Sequence, residues 1–168
     1  TLALGAAQTF AALNGAGTVS ATANSVLTIG NVLSPNVSDS TFNGVLTGSG
    51  LSVLKAGTGM LTLGGADANT YSGASATVIN SGTLILAKTG GAVAIPTSLT
   101  LGTLNGSTGT AALQFAGSGE IAESAVVTVN AGSTVDLNGF NQSLGSLNGT
   151  PGSTIFNNAT GTTATLTV

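Results

Sequence analysis

Apolar residues occupy alternate positions in a series of short runs: Leu27/Ile29, Leu51/Val53, Leu61/Leu63, Leu84/Leu86, Leu99/Leu101, Leu113/Phe115, Val127/Val129 and Val135/Leu137, with single members at Val45 and Val78. A period of two is the signature of a strand with one buried face. The runs recur at spacings of roughly 8 to 16 residues and are separated by Gly, Asn and Ser, which suits short strands joined by tight turns. Gly or a β-branched residue interrupts every stretch that could carry an i, i+3, i+4, i+7 stripe, so almost no helix is expected. The pattern predicts an all-β chain.

Such a chain can close as a sandwich or coil as a solenoid. Asn and Thr beside Gly at the corners, few large aromatics and an internal repeat favour a parallel β-helix (β-solenoid). A coil of about 20 residues predicts roughly seven to eight rungs, and a rise of about 4.8 Å per strand gives a rod about 40 Å long. Each inner strand then spends its backbone groups on the coils above and below, leaving unpaired edges at the two ends. Asn14, Asn80, Asn130 and Asn148 are candidates for a ladder of corner side chains bonded to their counterparts one rung away.

The internal repeat aligns Leu4 through Gly15 with Leu137 through Gly149: Gln8, Thr9, Phe10, Leu13, Asn14 and Gly15 fall opposite Gln142, Ser143, Leu144, Leu147, Asn148 and Gly149. Each copy leads into a strand, Ser25–Ile29 after the first and Thr163–Val168 after the second. The related segments are thus 4–29 and 137–168. Residues 1–168 are expected to form one solenoid segment, about one and a quarter periods of a longer tandem array.

Four motifs stand in order between them: Phe42-Asn43-Gly44-Val45 with Gly48-Ser49-Gly50, then Lys55-Ala56-Gly57-Thr58-Gly59-Met60-Leu61-Thr62-Leu63, then Asn69-Thr70-Tyr71-Ser72-Gly73, then Thr77-Val78-Ile79-Asn80-Ser81-Gly82-Thr83-Leu84. This order resembles the autotransporter-associated β-strand repeat, the passenger-associated transport repeat of bacterial surface passenger proteins. The likeness is densest over residues 41–86, and the Leu137-Asn138-Gly139-Phe140-Asn141-Gln142-Ser143 segment is common between such repeats. Ala66-Asp67-Ala68 lengthens the approach to Asn69, and Ala74 and Ser75 depart from the usual Gly and Thr. The resemblance implies a right-handed β-helix, a secreted or cell-surface location, and a structural, transport-associated role that brings no catalytic residues.

Composition sharpens the picture. Charged residues are only 4% of the chain, far below the quarter usual for a soluble domain. Hydrophobic residues at 42% and a mean hydropathy of +0.49 argue against disorder. Thr, Gly, Asn and Gln interrupt the uncharged ends too often for a transmembrane helix, and no Trp, one Tyr and five scattered Phe cannot supply the aromatic girdles of an outer-membrane barrel. The opening lacks a basic and an apolar signal region, so the chain reads as a mature or excised piece. A net charge of −3 with only two cations excludes a nucleic-acid partner.

Chemistry has few candidates. With no His and no Cys, imidazole-assisted nucleophiles, disulfides and the usual zinc sites are excluded. The carboxylates are Asp39, Asp67, Glu120, Glu123 and Asp136. Glu120 and Glu123 could form a glycosidase pair, but no basic or aromatic cluster accompanies them, and a solvated loop between strands at Phe115 and Val126 is the expectation. Lys55 and Lys88 read as solvated strand ends. Asp67 near Asn69 offers too few oxygens for calcium and reads as a turn residue. Gly57-Thr58-Gly59 and Gly48-Ser49-Gly50 lack the lysine and helix of a phosphate loop and read as corners. Tyr71 is expected to pack at its turn, and the sequons at Asn36 and Asn105 matter only in a eukaryotic secretory route.

No catalytic, cofactor or metal site is therefore expected, and no cofactor. The leading expectation is a non-enzymatic extracellular structural or display module that stacks head to tail or laterally into a rod or fibre, not membrane-embedded in this segment. An adhesin or ligand-binding β-helix is the alternative, its ligand a polysaccharide or, through Thr163, Thr165 and Thr167 on one strand face, ice. A carbohydrate-active enzyme would require Glu120, Glu123 and Asp136 to converge in a groove.

Overall fold

The computed structural model describes residues 1–30, 39–75, 77–103 and 110–168. Each alternating run forms a strand, and every pairing between strands in this region is parallel. Since the partner of a strand is the one met a full circuit later, the chain winds as a β-solenoid with three faces. No helix occurs among the described residues.

One face is a seven-stranded sheet stacked in the order Gln8–Phe10, Ser25–Ile29, Leu51–Lys55, Thr77–Ile79, Leu99–Leu101, Val126–Val129 and Ser146–Gly149. The seven strands correspond to about six turns of the coil. A second face stacks Ser40–Phe42, Met60–Gly65, Gly82–Lys88, Ala111–Phe115, Thr134–Asp136 and Thr154–Phe156. The third begins with Leu2–Ala3, Thr18–Ser20, Val45–Gly48 and Thr70–Tyr71. It continues through a single bridge between Ile95 and Ile121 and ends with the pair Gln142–Ser143 and Leu166–Thr167.

The register turns the alternation into columns. Leu27, Val53, Thr77, Leu99 and Val127 stack in line on the first face, and Leu61, Leu84, Leu113 and Val135 on the second. All are buried, so the core is a set of aliphatic files that removes apolar area from water at about 25 cal/mol per Å². Two positions differ from the alternation read in sequence. Val45 and Val78 are only partly buried, while Leu46, Thr77 and Ile79 point inward. Pairing of Thr77 with Val53 and Ile79 with Lys55 sets that choice, because a one-residue slip would turn the strand inside out.

The two copies of the internal repeat make the same local pairings. Gln8 faces Leu27 and Thr9 faces Thr28; Gln142 faces Leu166 and Ser143 faces Thr167. They do so on different faces, the first copy in the seven-stranded sheet and the second in the closing pair.

Corners impose the tightest steric limits. Gly48 turns with φ +109°, and a Cβ there would run into the Ala21 carbonyl of the preceding turn. Gly90 has φ +66° but open space around it. Gly48→Ala is therefore expected to lower stability by about 3 kcal/mol and Gly90→Ala by about 1 kcal/mol. Thermal unfolding followed by far-ultraviolet circular dichroism measures both; equal losses would mean that crowding between turns is not what this corner requires.

Candidate functional site

The corners hold the chemistry. Lys55 extends the inward series Leu51, Val53, Lys55 and stacks between Ile29 and Ile79 in a core file. It is 2% exposed, which corrects the reading of a solvated strand end. Its ammonium donates to the carbonyls of Ala56 and Gly57 at 2.8 Å and of Ser81, one turn later, at 3.2 Å. Three donors meet three acceptors, so the cation sits inside without orphaning a proton. Burial pushes its pKa down to about 8, against the attraction of Asp39.

Asn69 and Tyr71 lock the neighbouring corner. The Asn69 side chain is buried; its Oδ1 accepts from Leu46 N at 2.9 Å and its Nδ2 donates to Ala94 O at 2.8 Å, joining the turns on either side. Tyr71 is fully buried, as its expected packing role requires, and its hydroxyl bonds Thr77 Oγ1. Desolvation raises the phenol's pKa well beyond its ordinary value. The ladder candidates work in the same way: Asn14 Oδ1 accepts from Thr41 N and Asn130 Nδ2 donates to Gly102 O. These amides bond backbone on an adjacent turn where Asn-to-Asn pairing was expected. Asn80 reaches Lys55 O through its own backbone N–H, and Asn148 is exposed.

A second buried cluster lies at the corner where the second face gives way to the third. Lys88 follows Leu84 and Leu86 inward, is 5% exposed, and donates from Nζ to Gly44 O at 2.8 Å. Glu120 is 1% exposed, so neither residue is the solvated group anticipated. Glu120 Oε2 accepts from Lys88 N at 3.0 Å, while its Oε1 has no partner among the described residues. Gln142, also buried, accepts from Glu120 N through Oε1 and donates to Gly117 O through Nε2. Burial raises the Glu120 carboxyl to about 7, opposed by the bond from Lys88 N and by the Lys88 charge; burial lowers the Lys88 ammonium, opposed by Asp67 and Glu120.

The carboxylates do not converge. Glu123 is exposed and lines a groove of about 580 Å³ on the third face, between the Gly91 and Gly119 corner and Ala122. Glu120 faces inward behind that corner. Asp136 belongs to the second face, where Oδ1 accepts from Asn138 N and Asn158 N and Oδ2 from Gln114 Nε2. Asp39 Oδ1 accepts from Met60 N, and Asp67 is exposed beside the buried Asn69. The Gly57 and Gly48 segments are corners, as read. Only Leu166–Thr167 of the Thr163–Val168 stretch is strand, and Thr163 lies outside it. The sequons at Asn36 and Asn105 lie outside the described residues.

Residues 53–86, about a fifth of the chain, match the family model of the passenger-associated transport repeat. The match begins in the strand that ends at Lys55, contains Asn69, Tyr71 and Ser81, and ends at Leu86, so about one and a half turns of the coil and its two locks account for it. No curated protein and no solved structure matches the chain.

The Glu120 carboxyl carries a pH dependence whose sign is fixed. Its folded pKa of about 7 lies above the ordinary 4.5, so between these values the folded state holds a proton that the unfolded state has released, and stability falls as pH rises. The loss is expected to be about 3 kcal/mol across that window. In Glu120→Gln it should be largely absent, the amide oxygen still accepting from Lys88 N. Denaturant titrations at both ends of the window, on both proteins, check this; equal slopes would contradict it.

Proposed function

We propose that this segment is a structural and display element of a bacterial passenger protein, exported to the cell surface or secreted, and that it acts by geometry with no catalysis of its own. The observation that carries the reading is the match of residues 53–86 to the passenger repeat, seated in the middle of a continuous β-solenoid. We read the coil as right-handed and the chain as about one and a quarter periods of a longer array; the described residues make about six turns, fewer than the seven to eight rungs expected. The near-universal hand of parallel crossovers supports the first, and the matching register of Gln8 with Leu27 and Gln142 with Leu166, on different faces, is the support for the second.

A non-enzymatic role is supported by the separation of Glu120, Glu123 and Asp136 and by a chain without His or Cys. Self-association is read for the segment taken by itself. In it Leu2, Phe156 and Val168 are substantially exposed, and the outer edges of its outermost strands can accept another strand, whether from an adjoining coil of a longer array or from a second copy. A head-to-tail contact between copies would pair those edges and extend the aliphatic files. Little net charge opposes it.

The 168-residue chain is expected to show a weight-average mass that rises above its 15.9 kDa with concentration. Light scattering coupled to size exclusion measures this. A constant monomer mass over a wide concentration range would remove self-association from the proposal while leaving the structural role standing.

A further inference from the structure

We propose that the groove on the third face is a binding site for an extended oligosaccharide without anionic groups. Its length comes from the coil itself. Val93, Ile121, Ser143 and Thr167 are supplied by successive turns on one face. Strands stack about 4.8 Å apart, close to the length of one sugar unit in an extended chain, so each turn can meet one unit.

The lining has the two chemistries a sugar needs. Val93 and Ala122, both half-buried, give a small apolar surface for the C–H face of a ring over the core residue Ile121, and Glu123, Ser143, Thr165 and Thr167 bring a carboxylate and hydroxyls to its edges. Ser143 is half-buried, and the other three polar residues are exposed. Pockets that bind small molecules combine apolar surface with a few fixed polar groups in this way.

Charge selects among glycans. Both lysines are sealed inside, whereas Asp39, Asp67 and Glu123 are exposed. A uronate or phosphorylated chain would meet a carboxylate with no side-chain cation near the surface to offset the repulsion; a neutral chain meets a hydrogen-bond acceptor. Backbone geometry argues against a peptide. The groove runs along the coil axis, across the strands, and its floor spends backbone groups on the ladder between turns, as in Ile95 with Ile121 and Gln142 with Leu166. The open edge of Leu166–Thr167 lies at one end of the groove, so a peptide finds no continuous edge to pair with along the axis among the described residues.

The test is a titration of the isotopically labelled chain, followed by amide shifts, with cellotetraose, maltotetraose and tetra-N-acetylchitotetraose, each up to about 10 mM, a range that reaches the weak affinities of exposed sites. Tetragalacturonate and a lysine-rich peptide are run beside them. At least one neutral probe is expected to shift residues 91–93, 119–123, 141–143 and 165–167 together, with tetragalacturonate leaving them unmoved. Glu123→Gln should weaken that binding about tenfold, equivalent to 1.4 kcal/mol, while Asp67→Asn, a surface carboxylate outside the groove, should leave it unchanged. No shift with any neutral probe, shifts spread elsewhere, stronger binding of the uronate, or binding of the peptide alone would each overturn the proposal. The groove lies on the side of the coil and self-association at its ends, so either can fail without the other.

Discussion

The parallel backbone ladder between successive turns is the constraint on which everything else in this chain depends. A strand in the stack has no freedom of register once one of its faces is buried, because a shift of one residue exchanges core and surface along its whole length. The ladder also brings the chain to a corner three times per turn, and each corner must find partners for polar groups that the ladder no longer serves. Side chains fill that need. Lys55 collects the carbonyls of its own corner and of the next turn; Asn69 reaches both neighbouring turns; Gln142 ties Glu120 N to Gly117 O.

This explains the unusual placement of charge. An ammonium brought into an apolar interior is costly unless every proton is bonded, and Lys55 meets that condition with carbonyls alone. Lys88 relies on one carbonyl and on the nearness of Glu120, whose own carboxyl is pushed toward neutrality by burial. The outcome is a rod that buries both lysines with Glu120 and Asp136 and exposes Asp39, Asp67 and Glu123. Its flat faces are built from Thr, Ser, Gln and aliphatic groups, so contacts along them depend on shape and hydrogen bonding more than on ionic attraction.

Much of the architecture was legible in the alternation. Leu27/Ile29, Leu61/Leu63 and Leu99/Leu101 entered the core as their spacing demanded, and the corner readings of Gly48 and Gly57 held for the same local reason. The lysines were misread because charge was weighed above parity: Leu51, Val53, Lys55 and Leu84, Leu86, Lys88 each keep a strict period of two, and that period points both lysines inward. Glu120 offered no such signal. Its burial comes from Lys88 and Gln142, which lie 32 and 22 residues away in sequence. Val78 failed in the opposite sense, since its apolar character suggested the core while the partners Val53 and Lys55 assign that side to Thr77 and Ile79. The groove was illegible for a related reason: its residues come from separate turns and meet only when the coil is formed.

Because the chain has no cysteine, its stacking can be read directly by engineered disulfides. Leu54 and Val78 are outward-facing partners on adjacent strands, and Thr28 and Val78 lie one strand further apart in the same file. Adjacent strands are about 4.8 Å apart, within the reach of a disulfide, and a two-strand separation is beyond it. Oxidation of Leu54→Cys/Val78→Cys should therefore close an intramolecular bond in nearly every molecule, and Thr28→Cys/Val78→Cys should leave both thiols free. Ready closure of the second pair, or failure of the first in folded protein, would contradict the stacked parallel coil.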